Sequence, residues 1–214
     1  MKRLKIEIIH DIVCSWCPIG YANLRQALEN TNTKAHFHFL PFELNPSLAD
    51  EGQDINQHLA ERNQWDQAKL HAYRQQLLAV AKTAGVAMDF SKRTHYYNSS
   101  KAHLLMHYSE SSCNQQLMNE LLIDAYFNRG LNISDTSILL KLADQAGLNR
   151  VSTKRVFEGI SPNEGLVRKM NRVKTLGLSG VPAFIFNESS LVTGSNSVEY
   201  FEAVISELNT EAVA

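Results

Sequence analysis

The chain has few cysteines, no excess of charge of either sign and no long apolar run. Three cysteines among 214 residues are too few for a scaffold held together by disulfides. The 21 Lys and Arg residues nearly balance the 22 Asp and Glu residues, so we expect no nucleic-acid partner. No run of about 18 apolar residues is present, and we therefore expect no membrane span.

The length fits one domain with a large insertion, or two small domains. The first 13 residues do not resemble a secretory signal, because Glu7, His10 and Asp11 interrupt the apolar run that such a signal needs. We therefore expect a cytoplasmic protein.

Hydrophobic periodicity predicts a β-α-β unit followed by a helical middle. Residues 4–9 and 35–40 show the alternation of strands, and a helix is predicted between them from about Cys17. From 45 to 159, helical periodicity dominates and strand-like runs disappear. The predicted helices of this middle part begin near Asp54 and cover 65–84, 100–109, 114–128 and 135–146.

The C-terminal part returns to sheet-forming sequence. A helix over 164–176, strands over 182–186 and 190–193, and a closing helix over 198–208 are predicted. The expected class is therefore α/β, with one domain formed by 1–44 plus 160–214. A helical domain, 45–159, is expected to be inserted into it.

Two cysteines lie between the first predicted strand and helix, in the sequence Cys14-Ser15-Trp16-Cys17-Pro18. Cys14 falls at or just before the helix N-terminus, where unpaired N–H groups and the helix dipole stabilise a thiolate. Cys17 falls inside the first turn and is expected to be less exposed, so that it can attack a mixed disulfide at Cys14. This spacing and position favour redox exchange.

Three other interpretations of the pair remain open. A structural disulfide is rare in a cytosolic protein. A structural zinc site needs two further ligands, and Cys113 stands alone, so we expect no bound metal. The third interpretation is a pair of ordinary buried thiols. Cys113 itself is expected to be an incidental free thiol.

A second signal is Gly180-Val181-Pro182 at the start of the third predicted strand. Proline lacks an N–H and usually only opens a strand. Next to a dithiol motif, however, it indicates a place where the preceding backbone pairs with an extended substrate.

Together these features resemble the thioredoxin-like fold with a large α-helical insertion domain, in its DsbA-type form. More closely, the chain resembles the FrnE-like branch of the DsbA family of dithiol oxidoreductases, which is related to 2-hydroxychromene-2-carboxylate isomerase and kappa-class glutathione transferase. Further matching segments are 98–103, 126–135 and 178–182. The resemblance implies a nucleophilic Cys14, a resolving Cys17 and Pro182 in cis beside them, with Val181 offering backbone contacts.

The sequence departs from these relatives in two ways. The isomerase and the kappa transferase usually carry Ser at the position of Cys14 and lack the second cysteine, so the dithiol indicates disulfide exchange. Some FrnE-like proteins also carry a second cysteine pair near the C-terminus, which this chain lacks. Exchange is therefore expected to depend on Cys14 and Cys17 alone.

Four more residues are candidates for substrate contact. Ser15 and Trp16 separate the cysteines, and this dipeptide helps to set the reactivity of the thiols. Asn98 and His103 fall in a segment whose family equivalents lie over the active-site face.

These observations predict a thiol–disulfide oxidoreductase or isomerase with no cofactor beyond its redox-active disulfide. Protein thiols or disulfides are the expected partners, and glutathione is a candidate co-substrate. One alternative is a glutathione-dependent transferase or isomerase that acts on an aromatic small molecule. A non-enzymatic zinc- or protein-binding module is the other. The oligomeric state does not follow from the sequence.

Overall fold

A computed structural model describes residues 3–112, 114–159 and 163–211. Its main sheet has four strands in the order β2-β1-β5-β6. β1 pairs with β2 in parallel and with β5 antiparallel, and β5 and β6 form an antiparallel hairpin. The strands are β1 (Leu4–His10), β2 (Ala35–Pro41), β5 (Ala183–Phe186) and β6 (Ser190–Thr193), with a separate short pair, β3 (Gln53–Asp54) and β4 (His95–Tyr96).

β1 is an inner strand of the main sheet. It lies between two hydrogen-bonded neighbours, and every residue of it except Lys5 is buried. Leu4, Ile6, Ile8 and Ile9 supply the apolar side chains that a strand covered on both faces needs, and the buried Glu7 carboxylate is paired with Arg172. β1 therefore places its C-terminal end, and the motif that follows, inside the molecule.

The helices surround this sheet, and α1 packs against the C-terminal helix. They are α1 (Trp16–Asn30), α2 (Ile55–Asn63), α3 (Gln67–Thr83), α4 (Ser100–Glu110), α5 (Gln115–Ile123), α6 (Thr136–Gln145), α7 (Arg150–Phe157), α8 (Glu164–Thr175) and α9 (Val198–Glu211). Side chains that accept backbone N–H bonds begin several of them, as at Asp54 and Asp66.

The structure corrects the prediction for the middle of the chain in three places. The two-residue strands β3 and β4 occur where only helices are predicted, because a pair this short has no detectable alternation. The predicted helix over 114–128 changes to a π-helical turn at Asp124–Asn128. α7 is missing from the prediction, because only Thr153 and Val156 of its side chains are buried.

One cluster of buried apolar side chains connects the sheet with the helices of the middle segment. It includes Ile6 and Ile8 of β1, Leu105 of α4, Met118 of α5 and Phe201 of α9. The segment 45–159 therefore packs directly on the sheet. Its treatment as a separate inserted domain remains a prediction.

Within the described parts of the chain, no helix combines the length and the apolar composition needed to cross a bilayer. Cys113 lies outside the described residues, so its predicted role as an incidental thiol remains a prediction.

Candidate active site

The two cysteines lie where β1 passes into α1. The N–H of Cys14 donates to the carbonyl of Asp11 at 3.1 Å, and the N–H of Cys17 donates to the carbonyl of Cys14 at 3.2 Å. α1 begins at Trp16. Cys14 therefore precedes the helix and Cys17 lies in its first turn, whose N–H groups have no partners within the helix.

The loop before β5 forms the opposite side of the site. The Val181–Pro182 peptide bond is cis, and Cys14 Sγ donates a hydrogen bond to the Val181 carbonyl at 3.5 Å. Pro182 packs closely on α1, since a Cβ at Gly20 would lie 3.1 Å from Pro182 Cγ. Glycine permits this approach of helix and loop.

Both sulfurs are free thiols and both are buried. Cys14 is 5% exposed and Cys17 is 3% exposed, so the exposures differ less than the sequence analysis expects. The chemical difference is larger. Burial raises the pKa of the Cys17 thiol well above its usual value, and the hydrogen bond and negative charge of Cys14 raise it further. Cys17 therefore keeps its proton beside the Cys14 sulfur.

A buried acid–histidine pair lies behind the cysteines. Asp11 Oδ1 is 3.4 Å from His103 Nε2, and the Leu44 N–H donates to Asp11 Oδ2 at 2.7 Å. Burial alone would raise the pKa of Asp11, but the hydrogen bond and charge of His103 and the N–H of Leu44 outweigh it and hold the pKa below its usual value. A carboxylate thus stands behind the motif, and its charge adds to the raised pKa of Cys17.

A buried arginine of the middle segment contacts the same loop. Arg93 Nη1 donates to Ser15 Oγ at 3.0 Å, and Nη2 donates to the Val13 carbonyl at 3.3 Å. These two contacts lie on either side of Cys14 in the sequence. The middle segment is therefore part of the surroundings of the motif.

Across the parts of the chain that the structure describes, no group of three His, Cys, Asp or Glu side chains is arranged to hold a metal ion. The side chains of Asp11, Ser15 and His103 near the cysteines are hydrogen-bonded to other groups of the protein. This arrangement suits thiol chemistry at a helix start.

Comparison with known proteins agrees with this geometry. A model of the DSBA-like thioredoxin domain matches residues 5–206. The chain belongs to this DsbA-like family. The predicted family and the predicted thioredoxin-like fold are thereby confirmed.

Individual relatives of this DsbA-like chain are distant in sequence. It is 24% identical over 203 residues to the uncharacterized protein YwbO of Bacillus subtilis, with 94% of this chain and 96% of YwbO covered. A probable DsbA oxidoreductase from Streptomyces coelicolor is similar in structure, with a TM-score of 0.88 and 23% identity over 96% of this chain and 89% of that one. The cytosolic disulfide reductase DsbM from Pseudomonas aeruginosa, solved with GSH, has a TM-score of 0.62 and 13% identity, over 96% of this chain and 99% of DsbM.

The dipeptide between the cysteines has contacts within the molecule. Ser15 is buried and its hydroxyl accepts the hydrogen bond from Arg93. Trp16 is half-buried and packs against the cluster of Ile19 and Leu77. Contact of Ser15 or Trp16 with a substrate remains a prediction, as it does for the Val181 backbone.

Asn98 and His103 make contacts inside the protein. The Asn98 amide donates to the carbonyls of Pro46 and Leu48 at 3.2 and 2.8 Å, which holds a loop. His103 is 2% exposed, and its ring faces Asp11. Substrate contact by either residue remains a prediction. The structure places His103 Nε2 3.1 Å from the Phe42 carbonyl and 3.4 Å from Asp11 Oδ1.

Asp11, Gly20 and Arg93 belong to the site in the structure but are not among the residues predicted from the sequence. The sequence contains a signal for Asp11. It is an acidic residue that directly follows a buried strand and precedes a cysteine by three positions, which is unusual for a residue on the protein surface. Arg93 carries none, because it lies in the polar run 91–95 and nothing in the local pattern distinguishes it from a surface arginine.

Proposed function

We propose that this DsbA-like protein is a dithiol–disulfide oxidoreductase that exchanges disulfides through Cys14 and Cys17. The observation that carries the proposal is the unequal state of two adjacent thiols at a helix start. Cys17 is held protonated against the Cys14 sulfur, and Cys14 lies just before the start of α1, where the Ser15 side chain makes no capping hydrogen bond. Cys14 is therefore the attacking sulfur.

In the reducing direction, the Cys14 thiolate attacks one sulfur of a substrate disulfide. The new bond joins Cys14 to that sulfur, and the other substrate sulfur leaves as a thiolate and takes up a proton. Cys17 then loses its proton and attacks Cys14, which releases the second substrate thiol. The substrate gains two electrons and two protons, and the protein ends with a Cys14–Cys17 disulfide.

In the oxidising direction, the same steps run in reverse. A substrate thiolate attacks Cys14 of the protein disulfide, and Cys17 leaves as a thiolate and is protonated. A second thiolate of the substrate then attacks the sulfur that is bound to Cys14, which forms the substrate disulfide. The reduction potential of the protein relative to its partners decides which direction dominates.

Protein thiols and disulfides are the proposed substrates, and glutathione is a proposed co-substrate thiol. The structural likeness to DsbM, which is described as a cytosolic disulfide reductase and was solved with GSH, supports this choice and a cytoplasmic location. The chemistry that we propose needs no cofactor, because the electron pair moves between sulfur atoms only.

The test is the reduction of insulin by dithiothreitol, with each cysteine replaced in turn. The wild type is expected to accelerate the reaction, and Cys14→Ser is expected to give the rate without protein. Cys113→Ser is the matched control and is expected to keep the wild-type rate. Acceleration by Cys14→Ser would contradict the mechanism, and glutathione-dependent conversion of an aromatic electrophile that survives Cys17→Ala would instead support a transferase.

A further inference from the structure

Arg93 is a buried cation with almost no access to solvent. It is 2% exposed, and its guanidinium lies between 4.5 and 5.4 Å from the ring centroids of four aromatic side chains. These rings belong to Phe90, Tyr96, Tyr126 and Phe127. Ring faces attract a cation, but they do not neutralise it.

Within residues 3–112, 114–159 and 163–211, no carboxylate forms an ion pair with Arg93. Burying an unpaired charge is costly, and proteins usually supply a carboxylate partner. Arginine does not escape this cost by losing its proton. The positive charge therefore stays in place and is available to a negative group nearby.

The direct hydrogen bonds of Arg93 show where that charge acts. They go to the hydroxyl of Ser15 and to the carbonyl of Val13, so the guanidinium lies against the peptide segment that carries Cys14. Neither acceptor carries a charge. Cys14 lies between these two acceptors in the sequence, and a thiolate there is the negative group that forms in the proposed reaction. The other anion nearby, the Asp11 carboxylate, accepts hydrogen bonds from the N–H groups of Val13 and Leu44 instead.

We propose that Arg93 is a positioning residue that holds the 13–15 segment and stabilises the Cys14 thiolate by its charge. The inference rests on the proposed function only in taking Cys14 as the reacting sulfur. Because a thiolate occurs in the dithiol form and not in the disulfide, Arg93 also shifts the equilibrium toward the dithiol form.

Other titratable groups around the motif do not replace Arg93. Asp11 is negative and opposes an anion, and its Oδ1 lies 3.4 Å from His103 Nε2. Burial raises the pKa of Tyr73 to about 12, and it also raises the pKa of Tyr126, so both phenols are neutral near pH 7. Cys17 is likewise a neutral thiol.

The test measures the rate at which iodoacetamide alkylates Cys14 as a function of pH, in a Cys17→Ala, Cys113→Ser background. Only the thiolate reacts, so the midpoint of the rate profile reports its formation. Arg93→Met and Arg93→Gln are expected to move the midpoint upward and to lower the rate at pH 6 about tenfold. Arg93→Lys, which keeps the charge, is expected to stay within about twofold of the background protein.

Arg74→Met is the matched control. The Arg74 guanidinium lies 5.7 Å from the same Phe90 ring, but the arginine hydrogen bonds that the structure describes to the 13–15 segment come from Arg93. The control is expected to leave the profile unchanged. A folded Arg93→Met or Arg93→Gln variant with the unshifted profile would overturn the proposal, whatever the result of the insulin assay.

A second readout uses chains with both active-site cysteines. The equilibrium with the glutathione redox couple is expected to shift about tenfold toward the disulfide form in Arg93→Gln. If neither neutral variant folds, the wild type decides the matter. A stabilised Cys14 thiolate makes the free energy of unfolding of the dithiol form fall, relative to that of the disulfide form, as the pH is lowered from 8 to 5. An identical pH dependence of the two free energies would overturn the proposal.

Discussion

Cys14 Sγ and the Val181 carbonyl are joined by a hydrogen bond of 3.5 Å across 167 positions of sequence. The sulfur donates this bond only while it carries its proton, so the bond belongs to the thiol form. Because the partners come from the two ends of the chain, the site is complete only when β5 has paired with β1. We therefore expect loss of the native fold to abolish exchange together with tertiary structure.

Replacing Cys17 should stop the reaction at a mixed disulfide. In Cys17→Ala, Cys14 can attack a substrate disulfide, but the sulfur that lies beside it and would release the product has been removed. A covalent adduct with a disulfide-containing peptide is expected, and intact-protein mass spectrometry before and after dithiothreitol would measure it. The Cys14→Ser variant is the control and should form no such adduct, and equal labelling of the two variants would assign the reaction to another thiol.

Gly20→Ala should destabilise the protein although alanine favours helices. The added Cβ would lie 3.1 Å from both Pro182 Cγ and Ser195 Cα and 3.2 Å from Phe184 Cζ, and overpacking of this kind costs about 1–3 kcal/mol. The gain in helix propensity of about 1 kcal/mol offsets only part of it. Urea unfolding would measure the net loss.

The control for that substitution is Gly180→Ala, because a Cβ at Gly180 meets no atom within 4 Å. Its unfolding midpoint should equal that of the wild type. A Gly20→Ala protein as stable as this control would show that the contact between α1 and the Pro182 loop is looser than described.

Asp11→Asn should lower the free energy of unfolding by about 3 kcal/mol, since it leaves His103 without its buried carboxylate partner. The same substitution at Asp50, which forms an exposed pair with Lys101, should cost less than about 1 kcal/mol. Chemical unfolding at pH 7 compares the two variants directly. Equal losses would mean that the Asp11–His103 contact adds nothing beyond a surface pair.

His10 should make the protein less stable in mild acid. Burial, and then the charge of His103, lower the pKa of His10 from 6.5 to about 3. A histidine that resists protonation in the native state contributes stability above the unfolded value of 6.5, and this contribution is lost as the pH falls toward 3. The loss between pH 7 and pH 5 is expected to be about 2 kcal/mol.

The measurement for His10 is the free energy of unfolding at pH 7 and pH 5 in the wild type and in His10→Phe. Phenylalanine can keep the ring contact with Phe39, which lies 5.2 Å away between centroids. The variant should lose about 2 kcal/mol less than the wild type over this interval. An equal loss in both proteins would assign the acid sensitivity to other groups.

The main sheet and most helices follow from the sequence because their apolar periodicity is local. β1 and the hairpin of β5 and β6 are predicted to within one or two residues. The hairpin turn is also readable, since Asn187 and Glu188 both adopt positive φ angles at the predicted place. The motif Cys14–Cys17 is identifiable for the same reason, as it is contiguous in sequence.

Features that depend on tertiary packing do not follow from a local pattern. The pair of β3 and β4 is held by partners more than 40 positions apart, and the contact of Gly20 with Pro182 joins α1 to a loop near the other end of the chain. Arg93 is the extreme case. Its burial results from aromatic rings that the fold brings together from two separate segments.

The hydrogen bond from the buried Arg93 guanidinium of the middle segment to the Val13 carbonyl has a consequence for engineering. Exchanging the segment 45–159 with that of a relative would remove the Arg93 charge from the thiols as well as the helices above them. A chimera made to alter which substrates are accepted should therefore also acquire a new oxidising strength, unless the transplanted segment carries an equivalent cation.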